Sequence, residues 1–491
     1  MLFNSYIFVL VFLPIVLIGY FSLTRCNKDD WAKVFLIGAS FIFYGFYRWS
    51  YLFVIISSIL VNYTLSQWML KEERPARRRF AFFLGLLFNL GSLFYFKYVD
   101  FFLSNCNWLL NCNWEMLHIA LPLGISFFTF QQLSYVIDSY QRVPGITGYR
   151  FKDYALFVTY FPQLIAGPIV THDEMVPQFA DKARKHFSID NFACGLYGFT
   201  LGLAKKVILA DSFGRAVNTA FQDISGLSCT TSLFVMLAYT LQIYYDFSGY
   251  CDMAVGIGRM MNIDITINFN TPYRATSISD FWKRWHITLT RFFTRYVYIP
   301  LGGNRKGMSR TYANILIVFL VSGLWHGANW TFVLWGGLNG VALAITRFLD
   351  TAFGNSFSKG KTRLGIFIRW SVTFILINLL WVLFRADSLQ EAMTFYRNLF
   401  NFHVWKPDII LVGSICPSFF KPLIHLRPQA ASAFALIFLA AGVVFSVIGK
   451  NTQERMAAFR PTLANCLVTA LLLAYCILSF AGVSSFLYWN F

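Results

Sequence analysis

Apolar residues in this chain come in long runs rather than in the short alternations of a soluble domain. The runs cover 5–23, 33–48, 51–70, 80–103, 116–138, 191–210, 227–247, 311–326, 330–348, 364–386, 431–449 and 463–482. Each approaches the roughly 20 residues a helix needs to cross the hydrocarbon core. Lipid offers no hydrogen bonds to an exposed backbone, so such runs predict helices rather than open strands. The run at 154–170 differs because Pro162, Gly167 and Pro168 interrupt it. It predicts a broken or re-entrant segment, a backbone tolerated at depth only inside protein or along a cavity. No Lys or Arg precedes Arg25 and no small-residue cleavage site follows the first run, which predicts a retained first helix. The pattern predicts an all-α polytopic membrane protein, one integral membrane domain over 1–491, with C-terminal helices at 364–482.

The polar connections set an orientation. Lys71-Glu-Glu-Arg-Pro-Ala-Arg-Arg-Arg79 is strongly basic and is expected on the cytoplasmic side. Alternation then places 24–32, 139–190, 248–310, 349–363 and 450–462 inside, each with Lys or Arg, and 99–115, 211–226, 387–430 and both termini outside.

Composition agrees, at 57% hydrophobic and 13% charged residues, about half the charged share of a soluble domain. The net charge of +18 would suit a nucleic-acid binder if its cations formed one surface. They cluster instead in short loops beside apolar runs, which suits membrane orientation and attraction to anionic headgroups or a phosphorylated donor. Membrane lipids, not nucleic acids, are the expected partners. The nine cysteines include no Cys-x-x-Cys pair and no His/Cys cluster of metal spacing, so no metal site is predicted. Cys106 and Cys112, in a loop expected outside, are candidates for a disulfide. Gly198/Gly202, Gly323/Gly327 and Gly336/Gly340 have the four-residue spacing that lets membrane helices approach closely.

Chemistry concentrates in 242–307, where aromatic and charged residues mix. Projected as one helix, 281–297 puts Phe281, Trp282, Trp285, Leu289, Phe292, Phe293 and Tyr296 on one arc and Lys283, Arg284, Arg291 and Arg295 opposite, with His286 at the margin. This predicts a helix in the cytoplasmic interface. It either grips headgroups or receives the phosphates of an acyl donor while His286 faces the reaction path. His326 lies within the apolar stretch from Ile315 to Ala344. An ionisable group at membrane depth normally faces a cavity, finds a partner and serves a function, although a neutral imidazole can also be packing glue between helices. Asn329, three residues later, is a candidate to fix its tautomer. Asp246 is a candidate to orient a histidine or bind substrate, and Asp252 to pair with Arg259.

No Gly-x-Ser-x-Gly elbow, Walker loop or metal cluster is present. A buried imidazole stays neutral and able to accept a proton, which suits general-base attack of a hydroxyl on a thioester.

Asp246-Phe-Ser-Gly-Tyr250, Phe281-Trp-Lys-Arg-Trp-His286, Leu301-Gly-Gly-Asn-Arg-Lys306 and Gly323-Leu-Trp-His-Gly-Ala-Asn329 resemble the membrane-bound O-acyltransferase family. The likeness is to its bacterial branch, whose members serve alginate, peptidoglycan or teichoic acid. Phe161-Pro-Gln-Leu-Ile-Ala-Gly-Pro168, Pro122-Leu-Gly-Ile-Ser-Phe127 and Leu2-Phe-Asn-Ser-Tyr-Ile-Phe8 extend it from the first helix to about residue 345, with a family core at about 120–350. The resemblance implies about 11–12 transmembrane helices with re-entrant or interfacial segments around a through-membrane tunnel, in a bacterial inner membrane. It implies His326 as the catalytic histidine and His286 as its companion. Acetyl-CoA is the implied donor, as co-substrate and not as a bound cofactor. A surface polysaccharide is the implied acceptor, reached directly or through an extracytoplasmic SGNH-type acetyltransferase partner.

Three other readings compete with surface-glycan acetylation. These are D-alanyl transfer from a carrier protein to teichoic acid, a transporter or flippase using the histidines as a proton path, and a scaffold that only anchors a partner. A transporter predicts paired repeats, and the sequence has no evident internal repeat.

Overall fold

The computed structural model describes residues 1–146, 148–353, 362–416, 427–480 and 486–487. Among them every regular element is helical. Among the described residues eight helices are long and apolar enough to cross a membrane, and Leu463–Leu478 is a shorter apolar one. The chain divides into two compact units, one comprising Met1–Phe199, Tyr250–Ile267 and Phe459–Thr469, the other Thr200–Gly249, Asn268–Ala458 and Ala470–Phe491.

In the first unit, polar side chains inside apolar helices satisfy one another. Asn62, on Ser50–Lys71, donates to Asn89 Oδ1 and Gln132 Oε1, both at 3.2 Å. Asn89 answers at 2.6 Å, and Tyr154 donates to Gln132 at 3.1 Å. Such bonds pin helices together where water is absent. The broken segment forms as expected. Phe151–Thr159 ends at Tyr160, and Pro162 opens the short Phe161–Leu164 turn. Every residue from 153 to 172 is buried, so protein encloses the interruption.

Several boundaries differ from the sequence reading, each for a non-local reason. The run expected at 116–138 becomes helical only at Ile125, because Gly124 adopts φ +70° and its missing Cβ would meet the Leu164 and Ile165 carbonyls at 2.9 Å. Arg259 pairs with Asp264 at 3.0 Å. Cys106 and Cys112 are free thiols.

In the second unit, the stretch expected as a loop at 211–226 instead begins with the helix Asp211–Ala220, continuing the apolar span Ile189–Ala220. The helix expected to stop at 247 runs on as Cys229–Met260. Asp211 and Asp246 carry charges that read locally as helix ends. Lys206 neutralises them, lying 2.9 Å from Asp211 and 2.6 Å from Asp246 with all three side chains buried. The 387–430 loop contains the helices Leu389–Leu399 and Ile409–Gly413; its residues 417–426 lie outside the described set.

Met308–His326 and Trp330–Ala352 form a close helix pair. A Cβ on Gly323 would fall 2.3 Å from the Phe332 carbonyl oxygen, and one on Gly336 2.3 Å from that of Phe319. Glycine is required there by contact of backbone with backbone.

Candidate active site

The single interfacial helix expected over 281–297 is broken in two. Ile278–Arg284 ends at Trp285, His286 takes left-handed angles (φ +46°, ψ +52°), and Ile287–Phe293 follows. His286 therefore sits in the break and not on the margin of a continuous helix. The Asn268–Asn270 strand of chain supplies the missing backbone partners. Asn270 N–H donates to the Arg284 carbonyl at 2.9 Å, and Ile287 N–H to the Asn268 carbonyl at 3.0 Å. The Asn268 side-chain oxygen accepts from Thr288 N–H at 3.2 Å and Thr288 Oγ at 3.0 Å, and lies 3.1 Å from His286 Nδ1. A left-handed residue without glycine's freedom is strained, and such strain persists where surrounding contacts fix it, commonly at functional sites.

His286 packs edge-on against Phe247 at 4.8 Å between ring centroids, and its ring lies 6.3 Å from that of His326. His326 ends the Met308–His326 helix among Trp325 (4.9 Å), Phe384 (5.1 Å) and Trp335 (5.2 Å). Both imidazoles are almost completely buried, at 1% and 2% exposure. Aromatic rings pack around both imidazoles, and a low-dielectric setting of this kind strengthens the electrostatic contacts formed inside it.

A cavity of about 290 Å³ reaches His286, with Trp282, Lys283, Thr290, Tyr298 and Arg347 among its walls. A second space of about 460 Å³ shares Trp282, Lys283, Thr290 and Thr294 and is bordered by Arg291 and Arg295. Cations and an imidazole thus line the same apolar cavity. That arrangement suits a ligand with phosphates at one end and a small uncharged reactive group at the other.

The structure brings His286 and His326 close together and puts Lys283 and Arg291 beside the cavities. Arg284 is elsewhere, bound to Asp280 at 2.8 Å. Asn329 caps the next helix through Thr331 N–H at 3.1 Å and donates to the Asp387 carbonyl at 2.8 Å, so its amide is engaged away from the imidazole. Asp246 is held by Lys206 and by the Leu487 N–H at 2.8 Å rather than by a histidine. Sequence reading did not single out Asn268, Tyr298, Arg347 or Phe247. Asn268 opens the Asn268-Phe-Asn-Thr-Pro-Tyr motif, and Phe247 follows Asp246 directly. Tyr298 stands three residues before the Leu301-Gly-Gly-Asn motif, and Arg347 has no local signature.

Residues 141–385 match the MBOAT, membrane-bound O-acyltransferase, family. A peptidoglycan O-acetyltransferase of Helicobacter pylori is 38% identical over 100% of this chain and 98% of its own length. The chain belongs to the membrane-bound O-acyltransferase family. It is an O-acyltransferase and a multi-pass bacterial membrane protein, which sets aside the transporter and scaffold readings. Among further membrane-bound O-acyltransferase relatives, a probable alginate O-acetylase of Pseudomonas aeruginosa is 37% identical over 83% of this chain and 76% of its own. A teichoic acid D-alanyltransferase of Bacillus subtilis is 27% identical over 46% of this chain and 59% of its own.

Proposed function

We propose that this acyltransferase moves acetyl groups from acetyl-CoA on the cytoplasmic side to a cell-surface polysaccharide, with peptidoglycan as the acceptor. The cavity that Lys283 and Arg347 share with His286 carries the donor side of this reading. Lys283 and Arg347, with Arg291 and Arg295 beyond, would hold the donor's phosphates while the thioester lies against the buried rings. Peptidoglycan is preferred to an alginate-like glycan because the likeness to the peptidoglycan enzyme covers 100% of this chain, whereas that to the alginate relative covers 83%.

In the reaction the acceptor oxygen attacks the thioester carbonyl as His326 removes its proton. The carbon–sulfur bond then breaks, and the thiolate regains a proton to leave as thiol. His286 acts on the donor side. Oriented general bases of this kind contribute about 10²–10⁴-fold. The acceptor is the glycan itself or an extracytoplasmic SGNH-type transferase that passes the acetyl group on.

Mass analysis of acetyl esters on peptidoglycan and exopolysaccharide tests the reading. In a strain carrying His326→Ala, esters on muropeptides are expected to vanish while protein abundance holds. Their persistence at native levels overturns the catalytic assignment. Loss confined to exopolysaccharide overturns the acceptor, and loss of D-alanine esters with acetyl esters intact moves the donor to a carrier-protein thioester.

A further inference from the structure

The surroundings of His286 dictate where its ring hydrogen lies. A backbone N–H can only donate, and Thr288 N–H points at the same Asn268 side-chain atom that faces His286 Nδ1. That atom is therefore the carbonyl oxygen and not the amide nitrogen. An amide oxygen only accepts, so Nδ1 must carry the hydrogen, and the neutral ring has its lone pair on Nε2. The amide is held in place from three directions. Asn268 is buried, its oxygen also receives the Thr288 hydroxyl, and its main-chain carbonyl receives Ile287 N–H across the helix break.

We infer that Asn268 is a positioning residue for acyl transfer, holding His286 as the Nδ1–H tautomer so that Nε2 accepts a proton on the donor side. The inference rests on the reading above that the paired histidines serve the transfer. It assigns His286 a role that reading left open: a site that takes up a proton, not an N–H donor to the carbonyl oxygen. The hydroxyl proton must reach the departing sulfur. His326 takes it as the O–H bond breaks, and His286 Nε2 receives it as the N–H bond at His326 breaks. It is released to the thiolate as S–H forms, and both rings return to neutral. With centroids 6.3 Å apart, the rings are beyond direct nitrogen-to-nitrogen bonding, so one bridging oxygen carries the handover. While His286 is charged, its Nδ1–H bond to Asn268 becomes charge-assisted and strengthens.

The test uses the full chain in proteoliposomes and follows acetyl-CoA cleavage against pH. Asn268→Asp keeps every accepting contact but adds a negative charge beside the ring, which favours imidazolium. Other charged or titratable groups around His286 are Lys283, Arg347 and Tyr298 in the cavity wall, His326, and Asp246 beside Phe247, the last already paired with Lys206. All are unchanged in the variant. The acid limb of its kcat/KM profile is expected about one pH unit or more higher than native, with activity on the alkaline side within a few-fold. Asn268→Leu keeps the branched side-chain shape without the acceptor and is expected to lose about 10²-fold in kcat at unchanged KM for acetyl-CoA. A native acid limb in Asn268→Asp, or native kcat in a folded Asn268→Leu protein, overturns the inference. If Asn268→Leu fails to fold, the Asn268→Asp profile alone decides. Native activity in His286→Ala overturns the paired-histidine reading and this inference with it. Loss in His286→Ala beside unaltered Asn268 variants overturns the inference alone.

Discussion

The costliest residues in an apolar interior are its charges, and they explain both what the sequence revealed and what it concealed. His326 stood out because nothing near it in sequence could justify an ionisable ring at that depth. Asp246 stood out for the same reason, yet it ends in a different setting: Lys206 lies 2.6 Å away, with Asp211 sharing the ammonium at 2.9 Å. The partner is 40 positions upstream, and no periodicity links the two. Removing one member of a buried ion cluster leaves an uncompensated charge, typically costing about 3–5 kcal/mol. Lys206→Met is therefore expected to lower the amount of folded protein and its Tm sharply. The double variant Lys206→Met with Asp246→Asn should recover part of the loss. Equal Tm for Lys206→Met and the native chain would show that the cluster contributes nothing to the fold.

At the scale of elements, apolar runs announced the membrane helices, and prolines announced the broken segment around Pro162. The break at Trp285–His286 was hidden because apolar and basic arcs keep helical spacing on both sides of it. What interrupts the helix is the neighbouring chain, through Asn268 and Asn270, and a one-dimensional projection contains no such partner. Close helix contact was better marked. Gly323 and Gly336 carry small-residue spacing in the sequence and backbone contact in the structure. An added methyl at Gly323 has to displace the Phe332 backbone, and overpacking of this kind costs about 1–3 kcal/mol. Gly323→Ala should lower Tm and, three residues from His326, reduce acyl transfer. Gly337→Ala is the control: its Cβ would meet the Leu320 side chain at 3.4 Å, an ordinary contact, and alanine favours helix. Equal effects from the two substitutions would mean that the close helix approach does not matter.

For the whole molecule, the proposed reaction is vectorial: its phosphorylated thioester donor would not cross lipid, whereas its acceptor glycan would lie outside the cell. The two substrates must therefore meet the buried histidines from opposite faces, and the cationic cavity walls have to belong to the cytoplasmic one. The positive-inside distribution places 248–310 there, and the cavity walls at Lys283, Arg291 and Arg295 come from that stretch. Lys306, later in the same stretch, is exposed, and its turn is tied to the site through Tyr298, which donates to Asn304 and receives a bond from Arg347. A cysteine introduced by Lys306→Cys in a chain freed of its other reactive thiols should react with a membrane-impermeant maleimide in inverted vesicles and stay unlabelled in intact cells. The same inverted vesicles should consume acetyl-CoA added from outside, whereas right-side-out vesicles should not. Labelling from the cell exterior, or consumption of external acetyl-CoA by sealed right-side-out vesicles, would put the cationic mouth on the wrong face. The phosphates would then have to be read as those of an outer-leaflet lipid instead of a cytoplasmic donor.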